Sequence, residues 1–181
     1  MPFFILTTVQ PALGFTVLPS SFGAVIDSVR ADRDPMWIGN TIYFNSDRDG
    51  TFNLYAYDVA TAKTTQVTSS KLWDVRWPGS DRTSRIIYEQ NGELNVLDVK
   101  TGKPYWTYDM LAASWGSPLI VEDKIYVGDE DGDVVVLALS AKQEMIAETN
   151  MGSSVYTTPV VADNILYIAD KDHLFAIEGK E

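Results

Sequence analysis

The chain has 181 residues, of which 45% are hydrophobic and 12% aromatic, enough to bury the core of one domain or of a closely joined pair. Its 14 Lys and Arg against 25 Asp and Glu give a net charge of −11, the wrong sign for neutralising phosphates, so nucleic acid is not an expected partner. The lack of cysteine removes disulfides, thiolate metal sites and thiol nucleophiles, and leaves the compartment, periplasm or cytoplasm, undetermined.

No charged residue precedes Asp27, and the first thirty residues hold three β-rich stretches, "FFILTTV", "GFTVLP" and "GAVIDSV". Pro2, Pro11 and Pro19 divide them into pieces shorter than the apolar region of a signal peptide, and no Lys or Arg stands at the start. Residues 1–33 are therefore expected to form N-terminal strands. No stretch of the chain approaches the ~18 continuous apolar residues of a membrane span.

From residue 34 onward the chain repeats. "LYAYD", "LNVLD", "VVVLA" and "LFAIE" begin at Leu54, Leu94, Val134 and Leu174, each 40 residues after the last. A second apolar stretch precedes each of them: "TIYF", "RIIYE", "KIYVG" and "ILYIA". Further upstream stand Pro35, Pro78, Pro118 and Pro159, a residue type that belongs at the start or edge of a strand because it lacks a ladder donor. Outer strands follow as "TTQVT", "PYWTY" and "EMIAE". Four short antiparallel strands per ~40 residues make one blade of a β-propeller, where each sheet is covered on both faces. The spacing predicts an all-β fold, a small or partial β-propeller of about four blades, near 34–70, 73–110, 114–150 and 154–181. A β-sandwich has similar turn density but no reason to repeat at equal intervals. The fourth blade has no evident outer strand, and one of the N-terminal strands is expected to pair with "HLFAIEG" and close it.

The turn between second and third strands is "NSDRDG", "EQNG", "GDEDGD" and "ADKDH" in the four units. Asn-Gly and Asp-Gly are hairpin chemistry, since glycine takes positive φ and Asx side chains bond their own backbone. The third turn also offers Asp129, Asp131 and Asp133 as a candidate calcium set. It does not follow the EF-hand pattern, because Gly132 is fourth after Asp129 and position twelve is Ser140.

Residues 34–103, through "PMWIG", "SDRDG" and "DVRWP", resemble the propeller of tricorn-protease-like proteins and, more distantly, the TolB propeller. Residues 96–178 resemble the PQQ-type repeat of quinoprotein dehydrogenases and of BamB-type assembly lipoproteins. "VLDVKTGKPYW" fits that repeat's docking pattern through Asp98, Gly102 and Trp106, and the resemblance implies that Trp106 locks one blade to the next. In the third blade Ala138 and Gln143 stand where the pattern has Asp and Gly, and the Trp is missing, which weakens docking there. The quinoprotein resemblance would imply PQQ and calcium, but four blades do not enclose that cofactor. Tricorn-like proteins carry their peptidase in another domain.

No catalytic residue is expected. His173 is the single histidine, it sits in a turn, and no nucleophile elbow accompanies it. Trp37, Trp73, Trp77 and Trp115 fall on or beside first strands, where they are either core or a stacking surface lining the channel. The expected function is a non-catalytic interaction or scaffold module for a protein or peptide, acting as a monomer or an edge-to-edge homodimer. The alternative is a fragment of a quinoprotein or of a tricorn-like propeller that gates peptides.

Overall fold

The computed structural model describes residues 30–179, and within them every regular element is a β-strand. Fifteen strands form four separate antiparallel sheets. Sheet 1 contains β1 (Asp32–Ile38), β2 (Thr41–Ser46), β3 (Asn53–Asp58) and β4 (Lys63–Gln66). Sheet 2 contains β5 (Arg76–Ser80), β6 (Arg85–Gln90), β7 (Glu93–Asp98) and β8 (Lys103–Asp109). Sheet 3 contains β9 (Leu119–Val121), β10 (Lys124–Gly128), β11 (Asp133–Ala138) and β12 (Met145–Asn150). Sheet 4 has three strands, β13 (Val160–Ala162), β14 (Ile165–Ala169) and β15 (Leu174–Glu178).

Each sheet is an up-and-down meander in chain order, and β5 lies against both β1 and β9, so first strands face the inside of an arc. This is the blade architecture of a β-propeller. The expected pairing of an N-terminal strand with "HLFAIEG" involves residues 1–29, which lie outside the described residues.

The hairpin turns follow from local chemistry. Between β6 and β7, Asn91 (φ +56°) and Gly92 (φ +78°) are the two central residues of a turn flanked by the Gln90–Glu93 pair. Two positive φ values match the right-handed strand twist, which is why Asn-Gly is favoured here.

Cross-strand register sets which side chains share a face, and both faces of the middle sheets are apolar. In β7, Leu97 points into a cluster with Leu54, Tyr43, Val75 and Ile86 between sheets 1 and 2. Leu94 and Val96 point the other way, joining Ile87, Trp106, Ile125, Val127, Val135 and Leu137 between sheets 2 and 3. Each such fully buried aliphatic side chain contributes about 1.5–3 kcal/mol over an exposed one. Between sheets 3 and 4 the cluster shrinks to Val134, Val155 and Ile168, with Leu166 and Met151 partly buried beside them. The outer face of sheet 4, which by register carries Val160, Ile165, Tyr167 and Leu174, has no described sheet against it. Leu174 is 70% exposed there, although its counterparts at the same repeat position, Leu54, Leu94 and Val134, are buried.

Candidate functional site

The acidic turn is held by its own backbone. Asp129 is buried, and its Oδ1 accepts the N–H groups of Asp131 (3.0 Å) and Asp133 (2.9 Å). Burial raises its pKa, against the lowering effect of those two donors. The side chain of Asp133 is engaged elsewhere, accepting Asn150 Nδ2 at 2.8 Å. Among the described residues no three His, Cys, Asp or Glu side chains form a group that could hold a metal. The candidate calcium set Asp129, Asp131 and Asp133 is therefore not brought together as a ligand cage. Instead the turn seats sheet 4: the Asp129 carbonyl accepts Val155 N–H at 2.9 Å, and a Cβ on Gly132 (φ +93°) would fall 2.7 Å from the Ser153 carbonyl oxygen.

The docking residues occupy the far end of sheet 2. Asp98 Oδ1 accepts the N–H groups of Lys100 (2.7 Å) and Thr101 (3.2 Å), and its Oδ2 accepts the Tyr105 hydroxyl at 2.7 Å. The Tyr105 hydroxyl is the main reason its carboxyl stays below the usual range, with the backbone N–H groups adding to it. Gly102 (φ +66°) closes the turn by donating to the Asp98 carbonyl at 2.9 Å. Trp106 is buried and reaches sheet 3, where Nε1 donates to the Ser140 carbonyl at 2.9 Å. Among the described residues no equivalent indole hydrogen bond joins sheet 3 to sheet 4, and β12 is exposed along its length.

His173 lies in the β14–β15 turn with an exposed side chain, its Nδ1 3.4 Å from the Asp170 carboxylate.

The four tryptophans are not core: all are a third or more exposed. Trp37 and Trp77 lie within first strands and Trp73 and Trp115 beside them, and the four stand in three different settings. Trp77 lines a shallow cleft with Arg33, Phe52 and Asp74. Trp37 turns its Nε1 to the Gly39 carbonyl at 2.6 Å. Trp73 and Trp115 stand on the loops that enter β5 and β9, and these two share one cleft. They are 54% and 48% exposed.

Both loops are fixed. Ser70 Oγ donates to the Trp73 carbonyl (2.7 Å) and accepts its N–H (3.2 Å), while Gln90 Nε2 donates to the same carbonyl at 2.9 Å. Trp115 Nε1 donates to Glu130 Oε2 at 3.1 Å. The cleft between them is lined by Asp74, Glu89, Asp109 and Glu130, with Arg76 as the cation of its wall. Glu89 is the member that sequence reasoning missed. Only 5% exposed at the end of β6, it accepts Gly92 N–H on Oε1 at 2.6 Å, while its buried Oε2 has no hydrogen-bond partner. Burial raises its pKa, opposed by the Gly92 donor and the charge of Arg76. Its visible signal was slight, a carboxylate directly before the "QNG" turn.

Residues 15–103 match the model of the tricorn protease N-terminal beta propeller domain. The chain is 26% identical over 100 residues to outer membrane protein assembly factor BamB of Marinobacter adhaerens, an alignment covering 55% of this chain and 25% of that protein. Among solved structures, BamB from Moraxella catarrhalis aligns with a TM-score of 0.56 at 20% identity, over 78% of this chain and 42% of that one. The computationally designed Ika4 protein gives 0.63 at 15% identity, over 88% and 99%. Oligogalacturonate lyase from Vibrio parahaemolyticus gives 0.62 at 14% identity, over 87% and 54%. The structural likenesses show the fold, and the chain resembles both tricorn-like and BamB-like propellers. It spans a quarter of the curated BamB it matches and about two-fifths of the solved one. Among the described residues no helix is long and apolar enough to cross a membrane.

Proposed function

We propose that this chain is a non-catalytic interaction module, whose loop-bearing end between sheets 2 and 3 receives a segment of another protein. The observation that carries this reading is the cleft of Trp73 and Trp115: two half-exposed indoles on loops already fixed by hydrogen bonds, so little ordering entropy is lost on docking. Trp is also the residue type most enriched where a few side chains carry an interface. The matched relatives are a propeller domain and an assembly factor by name, which agrees with a binding role. The carboxylates of the cleft are each held by a donor, without an acid and base set to exchange a proton across a substrate.

The test is to pan a random-peptide display library on the folded protein and re-screen it on a Trp73→Ala/Trp115→Ala variant. Enriched peptides should lose binding to the variant. Failure to enrich any peptide, or enrichment indifferent to both tryptophans, overturns the reading, as does peptidase or esterase turnover that His173→Ala abolishes. Calcium has no part in this function, and millimolar calcium should leave the melting temperature unchanged. A rise of several degrees that Asp131→Ala removes would reinstate a metal role.

A second reading concerns self-association. The exposed outer face of sheet 4, with Leu174 and Val160, favours a homodimer in which a second copy covers it. Sedimentation velocity over a concentration series should show a dimer that Leu174→Lys dissociates. A monomer at every concentration ends this idea and leaves the interaction module untouched.

A further inference from the structure

Four carboxylates converge on the Trp73–Trp115 cleft, and each has only one oxygen engaged. Asp74 Oδ1 accepts Phe52 N–H at 2.9 Å, Glu89 Oε1 accepts Gly92 N–H at 2.6 Å, Asp109 Oδ1 accepts Leu111 N–H at 2.9 Å, and Glu130 Oε2 accepts Trp115 Nε1 at 3.1 Å. Their orientation is thus set by the protein, while the second oxygen of each has no hydrogen bond to a described donor. For three of them water can serve. Glu89 is different, because its Oε2 is buried as well as unpartnered, and a buried carboxylate oxygen left without a donor carries an uncompensated desolvation cost. That is an acceptor in want of a donor, on a residue that lines the same cleft as the two indoles.

The chemistry of a ligand follows from these groups. The lining is rich in acceptors and negative charge, with Arg76 alone opposing the four carboxylates, so an anion is repelled and a donor favoured. A bare metal ion does not fit, since no three carboxylates come within reach of one centre among the described residues. A neutral sugar would stack on tryptophan but gains nothing from the net negative field. A cationic side chain satisfies every feature: guanidinium and ammonium groups are donors without acceptors, and tryptophan is the best partner for a cation over its face. Guanidinium, with five donors in a plane and weak hydration, suits separated carboxylate oxygens and a flat indole better than ammonium. The net charge of −11 attracts basic segments over a longer range.

We infer that the cleft between Trp73 and Trp115 binds an arginine side chain of a basic peptide segment, with the second oxygen of Glu89 as its innermost acceptor. This deepens the interaction-module reading and rests on it. Glu130 and Asp74 hold the outer edge of the guanidinium, and the indoles cover its faces.

The probe is an acetylated, amidated glycine-flanked peptide with one arginine, compared with the same peptide carrying neutral citrulline, titrated by calorimetry and by tryptophan fluorescence. A single anchored residue should bind with Kd in the range of about 0.1–10 mM. The citrulline peptide should bind at least about tenfold more weakly, a difference of ~1.4 kcal/mol. Raising NaCl should weaken the arginine peptide only. Glu89→Gln should lower affinity severalfold, and because that site is buried, the exposed-residue variants Glu130→Gln and Trp73→Ala serve as second tests, each with reduced affinity and an unchanged melting temperature. Equal binding of arginine and citrulline peptides overturns the inference, as does no saturable change with arginine. Library peptides that depend on Trp73 yet carry no basic residue would also overturn it while leaving the interaction module standing.

Discussion

The contact between sheets 2 and 3 and the contact between sheets 3 and 4 use the same strands of the same repeat, yet they are built differently. The first is filled by volume: ten buried residues, from Ile87 and Leu94 through Ile125 to Leu139, with Trp106 pinned to Ser140 across the gap. The second is a close approach of backbone. A Cβ on Gly116 would lie 2.6 Å from the Thr157 carbonyl oxygen, one on Gly128 would lie 2.4 Å from Val155 Cγ1, and one on Gly132 would lie 2.7 Å from the Ser153 carbonyl oxygen. Among the described residues only Val134, Val155 and Ile168 form the buried cluster between sheets 3 and 4. The first contact should therefore be harmed most by removing atoms, the second by adding them.

Leu137→Ala should give the largest effect, since Leu137 is fully buried in the sheet 2–3 cluster. A loss of about 2–5 kcal/mol is expected, read as a lower urea midpoint with the whole transition shifted. A loss below about 1 kcal/mol would mean that this contact is not packed by volume.

Gly128→Ala should cost about 1–3 kcal/mol through overpacking against Val155. Its signature is local. Amide exchange should speed up in β14 and β15 but not in β6 and β7, and uniform loss of protection in all four strands would refute the distinction between the two contacts.

Trp106→Phe keeps most of the ring volume but deletes the donor to Ser140, and should cost about 1–2 kcal/mol. If the variant matches the parent, the indole contributes to the sheet 2–3 contact by packing alone.

Glu89→Gln should give the smallest change, and its sign depends on pH. The folded pKa of Glu89 is raised by burial, so the folded state holds that proton more tightly than the unfolded chain does. Its contribution is fully present below the unfolded value near 4.5 and is lost as pH rises through the raised folded value. The parent should thus lose stability relative to Glu89→Gln across that window, followed by urea midpoints between about pH 4 and pH 8. A constant difference would show that Oε2 is not desolvated in solution.

Much of this was legible beforehand. The apolar stretches at 40-residue intervals became β3, β7, β11 and β15, because a local run of β-branched and aromatic residues between Asn-Gly or Asp-Gly turns has few other uses. The acidic turn was legible as a hairpin, since an Asx side chain bonds its own backbone wherever the chain reverses. The cleft was not. Trp73 and Trp115 are 42 positions apart in sequence, and nothing local joins them to each other or to Glu89.

Leu54, Leu94, Val134 and Leu174 mark the boundary between what each level decides. Amino-acid order alone places all four at the start of third strands or within them, on corresponding faces, because strand period and turn chemistry are properties of a few neighbouring residues. That the first three are buried while Leu174 is exposed follows from the packing of sheet on sheet, because burial depends on whether another sheet lies against that face. The same holds for Glu89, whose carboxylate would be solvated in an isolated hairpin and loses water only where sheets 2 and 3 close over the end of β6.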